Sequence, residues 1–394
     1  MKKGILFYYD NYCGDKSRGG TEVATARIAR ALRKYGGYRV YNAFLHKAPP
    51  RGETLYDGIL RLRKSGRFEK ELAAFIRSND IGVVVNMGRF FRQKRLRDAI
   101  LESGRSVKLL FMHHFAPGSE WIKPTYKSGR HLLSLNPLNP AYWIRASIYP
   151  LIRMPRIMKL RKAYRDVYDM SDGVVLLSDG YKQSYAEIAG LADADRLTAI
   201  PNVFPSIDTE QSQGDRQKRV LVLSRMDEIQ KRISLALRIW SKIEREPDFS
   251  DWQLDIVGSG HDMKAIQLLS RQLGLRKVFF HGWKDSGYFL KRASILMMTS
   301  RYEGLPLTLL EAQAYGVVPI VYDSFASVRD VITDGRDGVT VEPFGDTDAF
   351  AGRLAELMRD EEKRGKLSEA GKASAGRFSE EAIASKWMQL LEAL

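Results

Sequence analysis

The chain has 394 residues, 44% hydrophobic and 28% charged, with 63 Lys and Arg against 47 Asp and Glu and a formal net charge of +16. That length suffices for two domains with cores of their own, and no apolar run approaches the roughly 18 residues a bilayer-crossing helix needs. The single cysteine, Cys13, excludes an intramolecular disulfide and reads as a packed residue in a reducing cytoplasm.

The excess charge lies in one half. Residues 1–205 hold 36 Lys and Arg against 18 Asp and Glu, whereas residues 206–394 hold 27 against 29. A basic first half calls for a polyanion or an anionic membrane surface. Along that half, residues 1–9 carry two lysines and an apolar run too short for a signal-peptide core, and read as a buried first strand. Gly19 and Gly20 then precede Thr21 and open a helix over 22–34, with apolar positions Val23, Ala26, Ala29 and Leu32. The glycine pair lets a backbone approach a phosphate or hydroxyl; it serves equally as a flexible turn with Thr21 as N-cap. Strands are predicted at 5–9, 81–86, 107–112, 173–178 and 197–200. His113 and His114 end the third of these. One of the two is expected to turn into the domain and the other to face a ligand, and no third residue at metal-ligand spacing accompanies them.

Residues 121–165 contain ten Lys and Arg, among them Arg145, Arg153, Arg156, Lys159, Arg161, Lys162 and Arg165, and no acid. Trp121, Tyr126, Tyr142, Trp143, Ile144 and Ile148 are interleaved with them. This mixture suits the interface of an anionic bilayer; a solvated helix face with scattered core aromatics has the same composition. No recognisable nucleic-acid module accompanies it, so no nucleic-acid partner is expected. Pro201 to Pro205 and the polar stretch 206–218 read as a linker.

In the second half, strands are predicted at 219–224, 253–258, 278–281, 295–299 and 318–322. All are nearly continuous apolar runs, as parallel strands buried on both faces would be. Arg225 and Lys231 leave the first of them and can converge on a diphosphate, although solvated charge at a strand-helix turn looks the same. Gly258-Ser259-Gly260 begins a dinucleotide fingerprint, but Met263 stands where the third glycine would fall, and a tight turn is the better reading. Glu303 and Glu311 flank a loop-to-helix junction, where the first-turn N–H groups can hold a phosphate while the two carboxylates meet sugar hydroxyls. The fold class is therefore α/β, with two doubly wound, Rossmann-like parallel-sheet domains facing across a cleft at their strand ends.

The set Ser224-Arg225-Met226 with Lys231, Glu303-Gly304-Leu305-Pro306, Glu311-Ala312, and the later Ser327 to Ile332 with Asp337-Gly338-Val339 resembles the retaining nucleotide-sugar glycosyltransferases of family 4, with the GT-B fold. The match is specific over about residues 218–345. It is looser in the first half, where it rests on Gly19-Gly20, His113 and Ile200-Pro201-Asn202. The resemblance implies an acceptor-binding domain over 1–205, a donor-binding domain over 206–377, and a helix at 378–394 that crosses back to the first domain. It implies that Glu311 binds the ribose and Glu303 the donor sugar, and that Arg225 and Lys231 clamp the diphosphate with N–H groups near Leu307 and Thr308. Gly19 and Gly20 would border the phosphates, His113 would approach the anomeric carbon, and Gly282 with Trp283 would border the base. Family members usually carry a Gly-Arg pair where this chain has Ser224-Arg225. No metal or other cofactor is implied beyond the donor, a nucleotide sugar with UDP expected as its nucleotide. The expected activity is transfer of a hexose or N-acetylhexosamine to a glycan or lipid-linked acceptor by a cytoplasmic protein peripheral to the membrane. A nucleotide-sugar 2-epimerase of the same fold and a non-catalytic nucleotide-sugar-binding scaffold are the competing expectations.

Overall fold

The computed structural model describes residues 4–14, 20–46, 55–63, 66–120, 140–204 and 216–394. Gly19 lies outside the described residues, as do the side chains of Arg145 and Arg153. The chain divides into two compact units, Met1–Pro205 with Phe378–Leu394, and Ser206–Arg377.

The first unit is built on a parallel sheet of β1 (Gly4–Tyr8), β2 (Val40–Phe44), β3 (Gly58–Arg61), β4 (Ile81–Asn86), β5 (Lys108–Met112), β6 (Gly173–Leu176) and β7 (Leu197–Ala199), in the order β3-β2-β1-β4-β5-β6-β7. The chain runs outward from β1 to one edge and returns at β4 to build the other. The carboxyl ends of β1 and β4 are therefore the point where such sheets leave a crevice. β1 and β2 are buried at every position, because helices cover both faces. The helix Gly20–Gly36 turns Ala24, Ala26, Ile28, Ala29 and Leu32 inward, and the C-terminal helix Glu380–Ala393 packs against it, started by Ser379 accepting from the Ala382 N–H. Thr21, considered above as an N-cap, lies inside the first helix, where its carbonyl accepts from Thr25 Oγ1 at 2.8 Å.

Two strands of this sheet, β2 and β3, escaped the sequence reading. β2 contains Asn42, a poor strand former. Its buried amide is used up by the Cys13 N–H at 3.2 Å and the Phe7 carbonyl at 3.0 Å, so it fits where it stands. β3 is a four-residue edge strand whose residues alternate between partial burial and exposure, and so lacks the continuous apolar run of its neighbours.

The second unit repeats the logic with β8 (Gln217–Leu223), β9 (Gln253–Val257), β10 (Val278–Gly282), β11 (Ala293–Met298), β12 (Val318–Tyr322) and β13 (Val339–Val341), in the order β10-β9-β8-β11-β12-β13. Here the order reverses between β8 and β11. The core beneath it gathers Trp240, Trp252, Leu254, Ile256, Ile295, Phe350 and Leu354. β8 and β9 end in register, Leu223 opposite Val257, and pairing continues past the strands as Ser224 N–H donates to Val257 O and Met226 N–H to Ser259 O, both at 3.0 Å. That close approach explains the glycines of the incomplete fingerprint. Gly258 has φ +140°, and a Cβ there would lie 1.8 Å from the Ser224 carbonyl oxygen; one at Gly260 would lie 2.4 Å from that of Met226. The glycines serve backbone packing between two strand ends.

Candidate active site

Residues leaving β8 and β11 meet at the reversal point of the second sheet. After β8, Asp227 caps a one-turn helix, Glu228–Lys231, by accepting from the Gln230 N–H. The turn is closed by Arg232 at φ +53°, a left-handed conformation that a non-glycine residue adopts at a cost. Thr299, following β11, offsets that cost: its hydroxyl bridges the carbonyls of Lys231 and Arg232 at 3.0 and 3.1 Å. The Arg301 N–H is held by the Gln230 carbonyl at 2.8 Å. The two loops are thus tied together by the Thr299 hydroxyl and one backbone hydrogen bond.

On that frame Glu303 is gripped at both oxygens. Lys231 Nζ lies 2.5 Å from Oε1, and Gln230 Nε2 lies 3.0 Å from Oε2. Glu303 is buried and Lys231 nearly so, where a charge pair persists only with such complete hydrogen bonding. Arg225 stands beside them, more exposed, its guanidinium on Asp227 at 3.2 Å and Gln230 Oε1 at 3.1 Å. Gln230 therefore positions both the buried carboxylate and the outer guanidinium. Half-buried Ser224 lies next to Arg225 in the chain. Gly304, Leu305 and Pro306 lead into the helix Leu307–Ala314, which has no side-chain cap. Thr308 is in its first turn and Glu311, half-buried, one turn further on.

Tyr302 completes the cluster. It is 7% exposed and its hydroxyl finds no hydrogen-bond partner among the described residues. Burial first, and then the Asp227 and Glu303 carboxylates, push its phenol up to about 12. Gly282 ends β10 at φ +67°, followed by Trp283, 81% exposed. His281, just before them, is fixed by Asp255 at 2.7 Å, and Asp255 also holds Arg219. One group of metal-ligating types stands nearby: Asp227, His261 and Asp262 bring ligand atoms within 4.8 Å of one another. Its carboxylates already serve Arg225, the Gln230 N–H and the Glu228 N–H.

In the first unit, Gly20 begins its helix with open space where a Cβ would stand. His113 is 1% exposed, and its Nε2 is shared by Glu120 at 3.2 Å and the Tyr164 hydroxyl at 3.3 Å. Tyr164 also donates to Glu120 at 2.9 Å. Burial raises the Glu120 carboxyl, but the His113, backbone and Tyr164 contacts outweigh it, and the group titrates below the ordinary range. Its neighbour His114 is also buried, with Nε2 unpartnered among the described residues. Both histidines therefore lie inside the unit, where only one was expected to.

The basic stretch is less uniform than its composition. Along the helix Pro140–Met170, Lys162 pairs with Asp166 and Arg165 with Asp169. Arg161 and Arg165 also cap the carboxyl end of the helix Tyr181–Ala189 through the carbonyls of Glu187, Ile188 and Gly190. Arg156 and Lys159 stay exposed, amid exposed Trp143, Ile144, Met154 and Met158. No helix among the described residues is long and apolar enough to cross a membrane.

Sequence reasoning missed Gln230, Asp227 and Tyr302. Tyr302 adjoins Glu303, and a short polar run leads from Asp227 to Lys231; only the meeting of two loops 72 residues apart makes them one constellation.

Residues 205–374, which include this whole cluster, match the family described as glycosyl transferases group 1. Over 277 residues, 66% of this chain and 75% of the relative, the sequence is 26% identical to a lipopolysaccharide 1,6-galactosyltransferase of Salmonella typhimurium. The similarity to the group 1 glycosyltransferases covers residues 205–374 of this chain. Several further relatives align with this chain over less than two thirds of their own length. Among solved structures, the lipopolysaccharide outer core galactosyltransferase WaaB in its apo form is similar with a TM-score of 0.69 at 18% identity, covering 99% of this chain and 100% of that one. Anabaena HepE in complex with UDP-glucose is similar with a TM-score of 0.71 at 14% identity, covering 100% of both chains. At such identities the likeness establishes the fold, and the chain has the GT-B fold, with two parallel-sheet domains.

Proposed function

We propose that this glycosyltransferase is a retaining, metal-independent hexosyltransferase that takes a hexose or N-acetylhexosamine from a UDP-sugar. Its acceptor is a lipid-linked, lipopolysaccharide or other cell-surface glycan at the cytoplasmic face of the membrane. The observation that carries this reading is the Lys231–Glu303–Gln230 constellation with Arg225 beside it, immediately ahead of an eight-residue helix. A solved neighbour of the same fold holds UDP-glucose, and the Salmonella relative is named for galactosyl transfer to lipopolysaccharide; both support it.

In this reading residues 206–377 bind the donor, and residues 1–205 with 378–394 bind the acceptor. The bond between the anomeric carbon and the β-phosphate oxygen breaks, and the electron pair leaves with UDP. Arg225, Lys231 and the first-turn N–H groups near Leu307 and Thr308 stabilise the charge that develops there. Phosphate draws Lys231 away from Glu303, whose carboxylate then accepts from the donor sugar hydroxyls, while Glu311 takes the ribose and Gly282 with Trp283 borders the base. The acceptor oxygen attacks on the face the phosphate leaves, its proton passes to the departing phosphate oxygen, and the products are the α-retained glycoside of an α-linked donor and UDP. Gly20, for which neither packing nor a positive φ demands glycine, lets the backbone approach the phosphates. His113 orders the loop facing the anomeric carbon.

The helix Pro140–Met170 is the membrane-facing element of the proposal. Trp143 and Met154 lie about three turns apart and so share one face, and Arg156 and Lys159 supply charge beside them.

Calorimetric titration with UDP, ADP, GDP and NAD, alongside slow hydrolysis of a UDP-sugar panel, tests the donor part. One nucleoside diphosphate should bind, and Glu311→Ala and Lys231→Ala should abolish turnover with the circular dichroism spectrum unchanged. Near-normal turnover in both variants would refute the assignment. The anomeric configuration of the product, read by NMR, tests retention. Undiminished rates in EDTA test metal independence. Sedimentation with anionic vesicles tests the membrane face, which fails if Arg156→Gln with Lys159→Gln leaves binding intact.

A further inference from the structure

The reversal point of the first sheet holds a cavity of about 500 Å³, lined by Asp10, Gly88, Arg89, Phe90, Phe91 and Arg92. None of these residues has a part in the reading above. Asp10 follows β1, and Gly88 to Arg92 follow β4. The cavity thus sits at the carboxyl ends of the two strands between which the order reverses, where open α/β sheets bind ligands.

The loop that forms it is held in place. Buried Asn86 accepts from the Arg89 N–H at 2.9 Å, donates to the Arg89 carbonyl at 2.9 Å and is itself fixed by Gln93 at 2.7 Å. Phe90 anchors the loop against Phe111 and Tyr164, with both ring centroids at 4.9 Å. Phe91, next in sequence, is left 80% exposed. The charges do not balance. Asp10, which accepts from the Tyr8 hydroxyl at 3.0 Å, is shared by Arg89 and, at 3.6 Å, by Arg92, and Lys159 adds a third cation 5.8 Å from the centre of the Phe91 ring. One carboxylate cannot use the donor edges of two guanidiniums, and a phosphate matches those that remain. The flat face of Phe91 beside it suits the C–H face of a sugar ring.

We propose that this cavity binds a phosphate-bearing part of the acceptor, with the phosphate on Arg92 and Arg89 and the adjoining sugar against Phe91. The proposal rests on the reading of the first unit as the acceptor side. The phosphate belongs either to a lipid-linked sugar diphosphate or to a phosphorylated sugar of the growing glycan, and the chemistry at the arginines is common to both.

The test is calorimetric titration of the full chain with glucose 1-phosphate, farnesyl diphosphate and inorganic phosphate. Wild type is compared with Arg92→Gln, Phe91→Ala and Arg225→Gln. Arg92→Gln keeps the Asp10–Arg89 pair, and Phe91 is too exposed for its truncation to threaten the fold. Arg92→Gln should weaken both organic phosphates by roughly 10- to 100-fold, as expected for a charged hydrogen bond. Phe91→Ala should weaken glucose 1-phosphate by roughly 2- to 10-fold and leave inorganic phosphate unchanged. Arg225→Gln should change none of these, which separates this cavity from the donor site. Tighter binding of farnesyl diphosphate assigns the lipid-linked source, and tighter binding of glucose 1-phosphate the phosphorylated glycan. The proposal is overturned if no probe binds, or if binding survives Arg92→Gln and disappears with Arg225→Gln. Failure of UDP to bind would overturn the donor reading and leave this result standing.

Discussion

His114 makes the first unit sensitive to mild acid. Its ring lies at the end of β5, 8% exposed and with Nε2 unpartnered among the described residues, and burial first, then the charge of His113 beside it, hold it down at about 3. In the unfolded chain the same imidazole titrates near 6.5. The folded value is the lower one, so the native state keeps the neutral ring, and its contribution to stability is complete only above about pH 6.5. As pH falls from there towards 3 the unfolded chain gains a proton that the native state refuses, and the contribution is progressively lost. At about 1.4 kcal/mol for each tenfold difference in proton affinity, the loss between pH 7 and pH 5 is about 2 kcal/mol. His114→Leu removes the titration. The readout is hydrogen exchange by mass spectrometry of peptides covering β4 and β5 at pH 7 and 5, corrected for intrinsic exchange, since these strands report on the first unit alone. The wild type should lose about 2 kcal/mol more protection than the variant over that interval. Equal losses in the two proteins would refute the argument.

In the second unit, Gly258→Ala forces a Cβ to within 1.8 Å of the Ser224 carbonyl oxygen at φ +140°. It should cost about 3 kcal/mol or more and lower that unit's melting temperature by roughly 6–12 °C; an unchanged melting curve would contradict the close approach of the two strand ends. Lys231→Met removes the cation 2.5 Å from the buried Glu303 carboxylate, and should destabilise the unit by about 2–4 kcal/mol. Adding Glu303→Gln should restore much of that, and chemical denaturation of the two single variants and the double one would expose additivity if the pair were uncoupled. Tyr302→Phe deletes a buried hydroxyl that has no partner among the described residues, so the unliganded protein should melt at the same temperature or higher, by up to about 1 kcal/mol of stability; a lower melting temperature would mean that the hydroxyl is satisfied.

The sequence by itself determined the architecture of two parallel-sheet units. Runs such as Ile81–Asn86 and Val318–Tyr322 are apolar without alternation because helices cover both faces of each sheet, and that pattern needs no tertiary knowledge to read. Arg225, Lys231 and Glu303 stand out by residue type and position near a strand end, and the structure brings them together around Gln230. What the tertiary structure alone decided is which groups share a partner. Lys231 and Gln230 reach Glu303 across 72 and 73 residues only because β8 and β11 are neighbours in the sheet. Glu120 and Tyr164 converge on His113 because β5 and the helix Pro140–Met170 pack in one unit. The edge strand β3, the claim of Asp166 and Asp169 on the basic helix, and the unequal sharing of Asp10 between two arginines belong to the same class. Periodicity and residue type are local and survive in one dimension. Burial and charge pairing depend on which distant segments the sheet order makes adjacent, and no single window of sequence contains that order.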